Sequence, residues 1–385
     1  MDKRMKKNLF VALAACVAIA LSACGSKSMI TMGDESKMDT LSYAFGSNVG
    51  AGMKQEFSIF PLDDEEILKG IEEALFEKSD KTEEEIFETL RDYFMGKAQA
   101  RMANVYEKRR LEDSTRLAAG DSTVVEYGAD PSMFETEEER QTVSHFLGID
   151  LGNNLKASGQ PIQYYWLAKG FRDTRSGNGQ MTEEEIMAYL QHYFMVVVPA
   201  RNAEESEAWL AKVEKKWGVE KTESGLLYKI DKKGDLDLKA SDDRDVVVVK
   251  YEGTTREGKV FDSTYERVKE IEEQKKKVEA DKELSVEDKA TQLARLDSQL
   301  ERVQTAEFPL NRVIPGWTEG MKLVGKGGKV TLWIPSELAY GAYGAGRDIG
   351  PNEALRFDVE IIDVKPFEQP APKPQIKPEP EPVQE

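Results

Sequence analysis

Near its C-terminal end the sequence reads Leu355-Arg356-Phe357-Asp358-Val359-Glu360-Ile361, and this segment indicates the fold class of the last third of the chain. Apolar and charged residues alternate here, which predicts a β-strand with one buried side and one solvent-facing side. Four more strands are predicted upstream, at 226–230, 246–251, 258–264 and 329–335. One short helix is predicted among them, after Pro315-Gly316-Trp317, because Trp317 and Met321 have helical spacing. The last third of the chain should therefore be an α+β domain with an antiparallel five-stranded sheet around one short helix.

Length, charge and cysteine content restrict what the rest of the chain can do. The sequence has 385 residues, which suggests two or three domains. Its net charge of −18 disfavours binding to nucleic acid, because a phosphate-binding surface needs positive potential. Both cysteines, Cys16 and Cys24, lie at the N-terminus, and there are only two histidines. We therefore expect no disulfide and no thiolate or histidine-rich metal site in the rest of the chain.

The N-terminus has the pattern of an export signal. Four basic residues within 1–7 precede an apolar run at 9–20, which is shorter than the roughly 20 residues that span a bilayer. The run ends in Leu21-Ser22-Ala23-Cys24, which resembles the bacterial lipobox, where cleavage precedes the cysteine and the thiol is acylated. We predict a lipoprotein signal peptide at 1–23, lipidation at Cys24 and a tether at 24–36. The alternative is an ordinary signal peptide.

The region after the tether contains a duplication. The offset is first 102 residues, where Thr40-Leu41-Ser42-Tyr43-Ala44-Phe45-Gly46 aligns with Thr142-Val143-Ser144-His145-Phe146-Leu147-Gly148. It then becomes 100 residues, and further pairs match: Lys69-Gly70 with Lys169-Gly170, Thr82-Glu83-Glu84-Glu85-Ile86 with Thr182-Glu183-Glu184-Glu185-Ile186, and Tyr93-Phe94 with Tyr193-Phe194. Self-similarity of this length indicates a repeated structural unit.

Each repeat is predicted to be helical. Thr82 and Thr182 each begin a T-x-x-E capping box, and apolar residues recur every four positions behind both. We place the first repeat at 37–127, and the second repeat with its linker helix at 137–217. The prediction is an all-α, duplicated N-terminal module.

The last third resembles the FKBP-type peptidyl-prolyl isomerases over about 222–366. The matching blocks come in order: Val249-Lys250-Tyr251-Glu252-Gly253, Phe261-Asp262-Ser263, Val313-Ile314-Pro315-Gly316-Trp317-Thr318-Glu319-Gly320, Leu338-Ala339-Tyr340-Gly341, Ile349-Gly350-Pro351-Asn352 and Leu355-Arg356-Phe357-Asp358-Val359. The helical repeats resemble the N-terminal region of the macrophage infectivity potentiator type, an exported subclass. The resemblance implies an isomerase of X–Pro bonds in protein clients, with no cofactor.

The resemblance also implies a pocket. Trp317 would form its floor, and Tyr340 and Ile349 would come from a loop over its entrance. Asp262 would be its one polar group inside, either facing the amide carbonyl or orienting the Tyr251 hydroxyl. Tyr251, Asp262 and Tyr340 are the expected catalytic residues. The expected substrate-binding residues are Phe261, Phe308, Val313, Ile314, Trp317, Ile349 and Phe357.

An insertion interrupts the predicted isomerase domain. Residues 266–305 contain no glycine or proline, and their apolar residues recur at heptad-like spacing. They predict a helical hairpin, which is either a solvated surface addition with no role in catalysis or an arm that binds clients beside the active site. Residues 367–385 hold six of the 15 prolines and are expected to form a disordered tail.

The resemblance, together with the lipobox-like N-terminus, implies a folding catalyst of the bacterial cell envelope, lipid-anchored at the outer membrane and facing the periplasm. The rival interpretation is a non-catalytic chaperone or scaffold that uses the same fold. Because one chain carries both helical units, we expect them to pair within the chain and leave a monomer, although pairing between two chains would bury the same surfaces.

Overall fold

The computed structural model describes residues 30–346 and 348–367 and divides into two compact units. The first unit comprises the chain as far as Glu207 together with two segments from later in the sequence, Thr255–Lys259 and Tyr340–Glu353. The second unit comprises Ala208–Thr254, Val260–Ala339 and the chain from Ala354. The predicted signal peptide, Cys24, the first part of the tether and the C-terminal tail beyond Phe367 lie outside the described residues.

The first unit is built from the two helical repeats. The first repeat contains α1 (Thr40–Glu56), α2 (Asp64–Leu75), α3 (Glu83–Arg91) and α4 (Ala98–Ala118). The second contains α5 (Glu137–Ala157), α6 (Tyr164–Arg175), α7 (Glu183–His192) and α8 (Val198–Val213). A π-helical turn precedes the fourth helix of each repeat, at Asp92–Lys97 and Tyr193–Val197. Two short strands pair in parallel, β1 (Ile30–Thr31) and β2 (Ile162–Gln163).

Both predicted capping boxes are present. The backbone N–H of Glu85 donates to the Thr82 hydroxyl, and the Glu85 carboxylate accepts from the Thr82 N–H at 2.9 Å. Thr182 and Glu185 make the same reciprocal pair. These bonds satisfy amides that have no partner in the first turn of a helix, so α3 and α7 begin at equivalent positions.

The two repeats exchange their first helices. Helix α1 packs against α6 and α7 of the second repeat, and α5 packs against α2 and α3 of the first. One apolar core runs through both repeats, from Leu41 to Val198. Because each repeat completes its core with a helix of the other, neither buries its apolar residues alone.

The aligned glycines lie where these helices cross. A Cβ added at Gly46 would be 1.8 Å from the Leu167 carbonyl oxygen, and one at Gly170 would be 2.2 Å from the carbonyl oxygen of Tyr43. At the equivalent crossing of α5 with α2, a Cβ at Gly148 would be 2.1 Å from the Ile67 oxygen. Only glycine allows two helix backbones to approach this closely, which accounts for these glycines recurring in both repeats.

The second unit contains most of a seven-stranded β-sheet. Its strands are β3 (Glu220–Lys221), β4 (Leu227–Lys232), β6 (Val246–Thr255), β7 (Val260–Ser263), β8 (Ala306–Pro309), β10 (Lys329–Ile334) and β11 (Leu355–Lys365), in the order β3-β4-β10-β11-β6-β7 with β8 also paired to β6. A separate antiparallel pair joins β5 (Asp235–Lys239) to β9 (Gly325–Lys326).

The predicted architecture is confirmed, and the structure adds to it. All five predicted strands are present, and α11 (Pro315–Gly320) is the short helix. The insertion folds as the predicted hairpin of α9 (Thr264–Ala280) and α10 (Val286–Val303), which pack together. The sequence patterns missed the short strands β3, β5, β8 and β9, because runs of two to five residues carry too little periodicity. None of the helices in the described part of the chain is long and apolar enough to cross a membrane.

Candidate functional site

Trp317 lies at the centre of the site, on α11. Pro315 opens the helix, where its missing N–H costs nothing. Gly316 and Gly320 bring α11 close to the sheet, since a Cβ at either would be within 2.5 Å of an Ile334 or Leu332 side-chain carbon. The indole is 4% exposed, and its Nε1–H has no hydrogen-bond partner among the described residues. The two glycines therefore set how closely Trp317 approaches its neighbours.

Three aromatic rings surround Trp317 at nearly right angles. Tyr251 from β6 has its ring centroid 5.1 Å from that of Trp317, Phe308 from β8 lies at 5.4 Å and Phe357 from β11 at 5.2 Å. Phe261 from β7 packs edge-on against Phe357 at 5.5 Å. Edge-to-face arrangements of this kind are favourable because the positive edge of one ring meets the negative face of another. The four strands thus hold these rings in one aromatic cluster.

Gly253 leaves room for two of these rings. A Cβ at this position would lie 2.7 Å from both Phe261 and Phe357. Val313 and Ile314 precede α11 and are half-buried, and the Ile314 carbonyl accepts the N–H of Trp317. The pocket residues predicted from the second unit are therefore contributed by β6, β7, β8, β11 and the start of α11.

A polar network joins the aromatic cluster through Tyr251. The Tyr251 hydroxyl donates to Asp262 Oδ2, and Arg267 donates to Asp262 Oδ1 and, at 3.2 Å, to the Tyr251 oxygen. The Asp262 side chain is 39% exposed. Asp262 follows Phe261 on the edge strand β7, so its side chain remains partly in solvent.

Burial raises the pKa of Tyr251, and its hydrogen bond to the Asp262 carboxylate raises it further. The hydroxyl therefore stays protonated and acts as a donor at physiological pH. Burial lowers the pKa of Arg267, but Tyr251 and Asp262 outweigh this effect and the net shift is upward. The network consists of a neutral phenol, a carboxylate and a guanidinium.

Sequence reasoning missed Arg267. It belongs to the predicted insertion, 266–305, yet it lies on the first turn of α9 beyond the cap residue Ser263, whose side chain accepts from the Tyr265 and Glu266 amides. A helix that begins directly after β7 carries its first turns past the Asp262 side chain. A basic residue one turn into a helix that follows a site carboxylate is the signal that could have identified it.

Tyr340 and Ile349, the remaining predicted pocket residues, belong to the first unit, in Tyr340–Glu353. We call this range the entrance segment, after the role expected from the sequence. An isolated bridge joins Ala345 to Ile349, and the Asn352 N–H donates to the Gly341 carbonyl at 2.9 Å. Ile349 is buried, whereas Tyr340 is partly exposed.

Known proteins match both parts of the chain. The family described as FKBP-type peptidyl-prolyl cis-trans isomerase matches residues 270–362. The family described as the domain amino terminal to that isomerase matches twice, at 38–122 and 140–230. The FKBP-type isomerase FkpA of Escherichia coli K12 is 33% identical over 63% of this chain and 81% of its own length. The chain belongs to the FKBP-type peptidyl-prolyl cis-trans isomerases.

Two further relatives, one from Neisseria and one from Legionella, agree with this assignment. A probable FkpA of Neisseria meningitidis is 33% identical over 61% of this isomerase and 78% of its own length. The outer membrane protein MIP of Legionella longbeachae is 30% identical over 66% of this chain and 94% of its own. The crystal structure of Escherichia coli FkpA aligns with 31% identity and a TM-score of 0.37, covering 60% of this chain and 99% of that one. The predicted family and the predicted enzyme class, an isomerase of X–Pro peptide bonds that catalyses protein folding, are confirmed.

Proposed function

We propose that this isomerase acts on X–Pro bonds of exported, unfolded or partly folded proteins, and that the reaction takes place in the aromatic pocket around Trp317. The observation that carries the proposal is the right-angled cluster of Trp317 with Tyr251, Phe308 and Phe357, bordered by a single polar network. Such a cluster offers an apolar surface that fits a proline ring.

An apolar pocket suits this reaction because the barrier is electronic. Rotating a peptide bond costs roughly 18–20 kcal/mol, since amide resonance is lost. X–Pro bonds isomerise unaided over tens to hundreds of seconds. The twisted transition state has a less polar carbonyl than the planar amide, so a pocket with little water favours the twisted form. No nucleophile is needed for this rotation.

The polar network has a separate role in the proposal. The Tyr251 hydroxyl is held by Asp262 and Arg267, which supports the second of the two roles left open for Asp262, that of orienting Tyr251. We assign Tyr251 and Asp262, with Tyr340 of the entrance segment, to the catalytic set. Substrate contacts are assigned to the apolar residues Phe261, Phe308, Val313, Ile314, Trp317, Ile349 and Phe357.

The test of catalysis is proline-limited refolding of an unrelated protein, with and without this isomerase. The wild-type chain should accelerate the slow phase, and Tyr251→Phe should do so less, because it keeps the ring packing and loses the hydroxyl. If the wild-type chain leaves the slow phase unchanged but suppresses aggregation of the client, the proposed catalysis is refuted and the non-catalytic chaperone is the better interpretation.

We further propose an anchor in the outer membrane through Cys24, with the protein facing the periplasm. The lipobox-like Leu21-Ser22-Ala23-Cys24 supports it, as does the name of the Legionella relative, an outer membrane protein. Wild-type protein should fractionate with membranes after cell lysis, whereas Cys24→Ala should be soluble. Recovery of the wild type in the soluble fraction would overturn the anchor.

The last part of the proposal concerns domains and assembly. We assign the helical units to 37–127 and 137–217 and the isomerase domain to 222–366, and we expect a monomer. The mutual exchange of α1 and α5 supports it, because one chain supplies both halves of the crossed module. Light scattering on the chain lacking residues 1–24 should give the mass of one chain at micromolar concentration; a stable mass near two chains would refute the monomer.

A further inference from the structure

Helix α8 carries buried polar residues that its counterpart in the first repeat lacks. Asn202 is fully buried and Ser206 nearly so. At the offset of 100 residues, the equivalent positions on α4 are Met102, which packs partly against the helical core, and Tyr106, which is exposed. The duplication therefore supplies an internal comparison, in which only the repeat that leads into the isomerase sequence has buried polar groups at these two positions.

Both residues bind the backbone of the entrance segment. Asn202 Nδ2 donates to the Pro351 carbonyl at 3.0 Å, and Ser206 Oγ donates to the Asn352 carbonyl at 3.0 Å. In the opposite direction, Asn352 Nδ2 donates to the Pro199 carbonyl at 3.2 Å. Asn352 has a left-handed φ of 56°, a conformation that asparagine tolerates better than most residues. Three hydrogen bonds thus join the start of α8 to the end of the entrance segment.

A buried arginine extends this contact to the β6–β7 turn. Arg256 has a side chain that is 4% exposed, and it donates to Glu205 of α8 and to Asn202 Oδ1. Its Nη1 also lies 3.6 Å from Glu353 Oε1, at the end of the entrance segment. A buried guanidinium needs several partners to offset its desolvation. Here the close partners come from α8 and from Glu257 of the turn itself, whereas Glu353 is near the guanidinium without a hydrogen bond to it.

Glu353 makes a hydrogen bond within the entrance segment. Its Oε2 accepts the Gly350 N–H at 2.8 Å, and its side chain is fully buried. Lys259 of the turn also pairs with Asp348 at 2.9 Å.

We propose that Asn202, Ser206 and Arg256 are positioning residues for the isomerase, because they fasten the entrance segment that carries Tyr340 and Ile349 to helix α8. This inference rests on the proposed function, in which those two residues border the substrate. It adds that residues of helix α8 affect how tightly the isomerase binds a client. Loosening the contact should weaken substrate binding without altering the aromatic cluster.

The experiment compares the full chain with Asn202→Ala/Ser206→Ala, using a short proline-containing peptide as substrate. Each lost hydrogen bond of ordinary strength corresponds to a few-fold to about tenfold in an equilibrium constant. We expect kcat/KM to fall about tenfold, mainly through KM, with kcat nearly unchanged. Asn104→Ala, an exposed asparagine on α4, is the matched control and should behave as wild type.

Hydrogen exchange supplies a readout that is independent of activity. The amides of Gly350 and Asn352 should exchange faster in the double variant, while those of β10 should not change. Asn352→Gly tests the same contact from the other side, because glycine accepts the positive φ and removes the bond to Pro199.

The outcomes separate the two proposals. Inactive wild-type protein would remove the proposed function. An active wild type with unchanged KM and unchanged exchange in both the double variant and Asn352→Gly would overturn the positioning role alone. A fall in kcat at constant KM would also overturn it, since that result places the residues in the chemical step.

Discussion

Gly46→Ala gives the sharpest test of the crossed helical module. Gly46 lies in α1, and a methyl group there would be placed 1.8 Å from the Leu167 carbonyl oxygen and 2.9 Å from the Phe171 nitrogen. Real Cβ atoms essentially never approach within 3.0 Å of another heavy atom, and both of these neighbours are backbone atoms of α6. The two helices must therefore separate, because no side chain can rotate away.

The expected loss of stability is the difference between two opposing contributions to the free energy of unfolding. Overpacking a well-packed core costs about 1–3 kcal/mol, and a backbone clash belongs at the upper end of that range. Alanine is better than glycine within a helix by about 1 kcal/mol. We expect Gly46→Ala to lower the free energy of unfolding by about 2 kcal/mol net of these terms.

Gly96→Ala is the matched control. Gly96 lies in the π-helical turn of the first repeat, and a Cβ there would meet nothing within 4 Å. The same position of the second repeat is Val196, so a side chain is tolerated. Urea unfolding followed by far-UV circular dichroism should show Gly96→Ala unchanged or stabilised by up to about 1 kcal/mol. If Gly46→Ala is as stable as Gly96→Ala, the close crossing of α1 and α6 is refuted.

Three further predictions concern the isomerase. Asp262→Ala should lower kcat/KM on a proline peptide with little effect on the unfolding midpoint, because its carboxylate is partly exposed, and a fully active variant would remove Asp262 from the mechanism. Replacing 270–303 with a short linker keeps Arg267 and should preserve turnover of a peptide but reduce the acceleration of protein refolding; equal losses in both assays would favour a structural role for the hairpin. Glu353→Gln should be as stable as wild type near pH 4.5 and progressively more stable towards pH 8. Burial raises the Glu353 pKa to about 8 in spite of Arg256, so the wild type loses stability through that window, at up to about 1.4 kcal/mol per pH unit; parallel stability profiles for the two proteins would contradict this.

Local patterns predicted the local structure well. The capping boxes at Thr82 and Thr182 begin helices as expected, and the alternation at 355–361 lies within β11. Each of these features depends on residues within a few positions of one another, where spacing and side-chain type determine the backbone conformation. Matching motifs then identified the aromatic residues around Trp317.

Long-range contacts could not be predicted from the same patterns. The bond from Asn202 to Pro351 joins residues 149 positions apart, and the pattern around Asn202 indicates only a helix. Arg267 was not predicted as a site residue because the sequence pattern places it in the insertion. In the structure Arg267 donates a hydrogen bond to Tyr251, which lies 16 positions earlier in the chain. The exchange of α1 and α5 could not be predicted for a related reason. An apolar stripe shows that one face of a helix is buried, but it does not show which helix packs against that face.

Covalent linkage of the two helical units also changes how substitutions act on them. In a symmetric homodimer every substitution appears twice, once in each subunit. Here the equivalent positions already differ: Tyr43 bonds Asp173 and the Gln180 amide, whereas its counterpart His145 lies between Glu66 and Glu73. One gene encodes both halves in a fixed one-to-one ratio, so each half can diverge separately while remaining the obligatory partner of the other. The half ending in α4 is thus free to acquire a surface different from that of the half that leads into the isomerase.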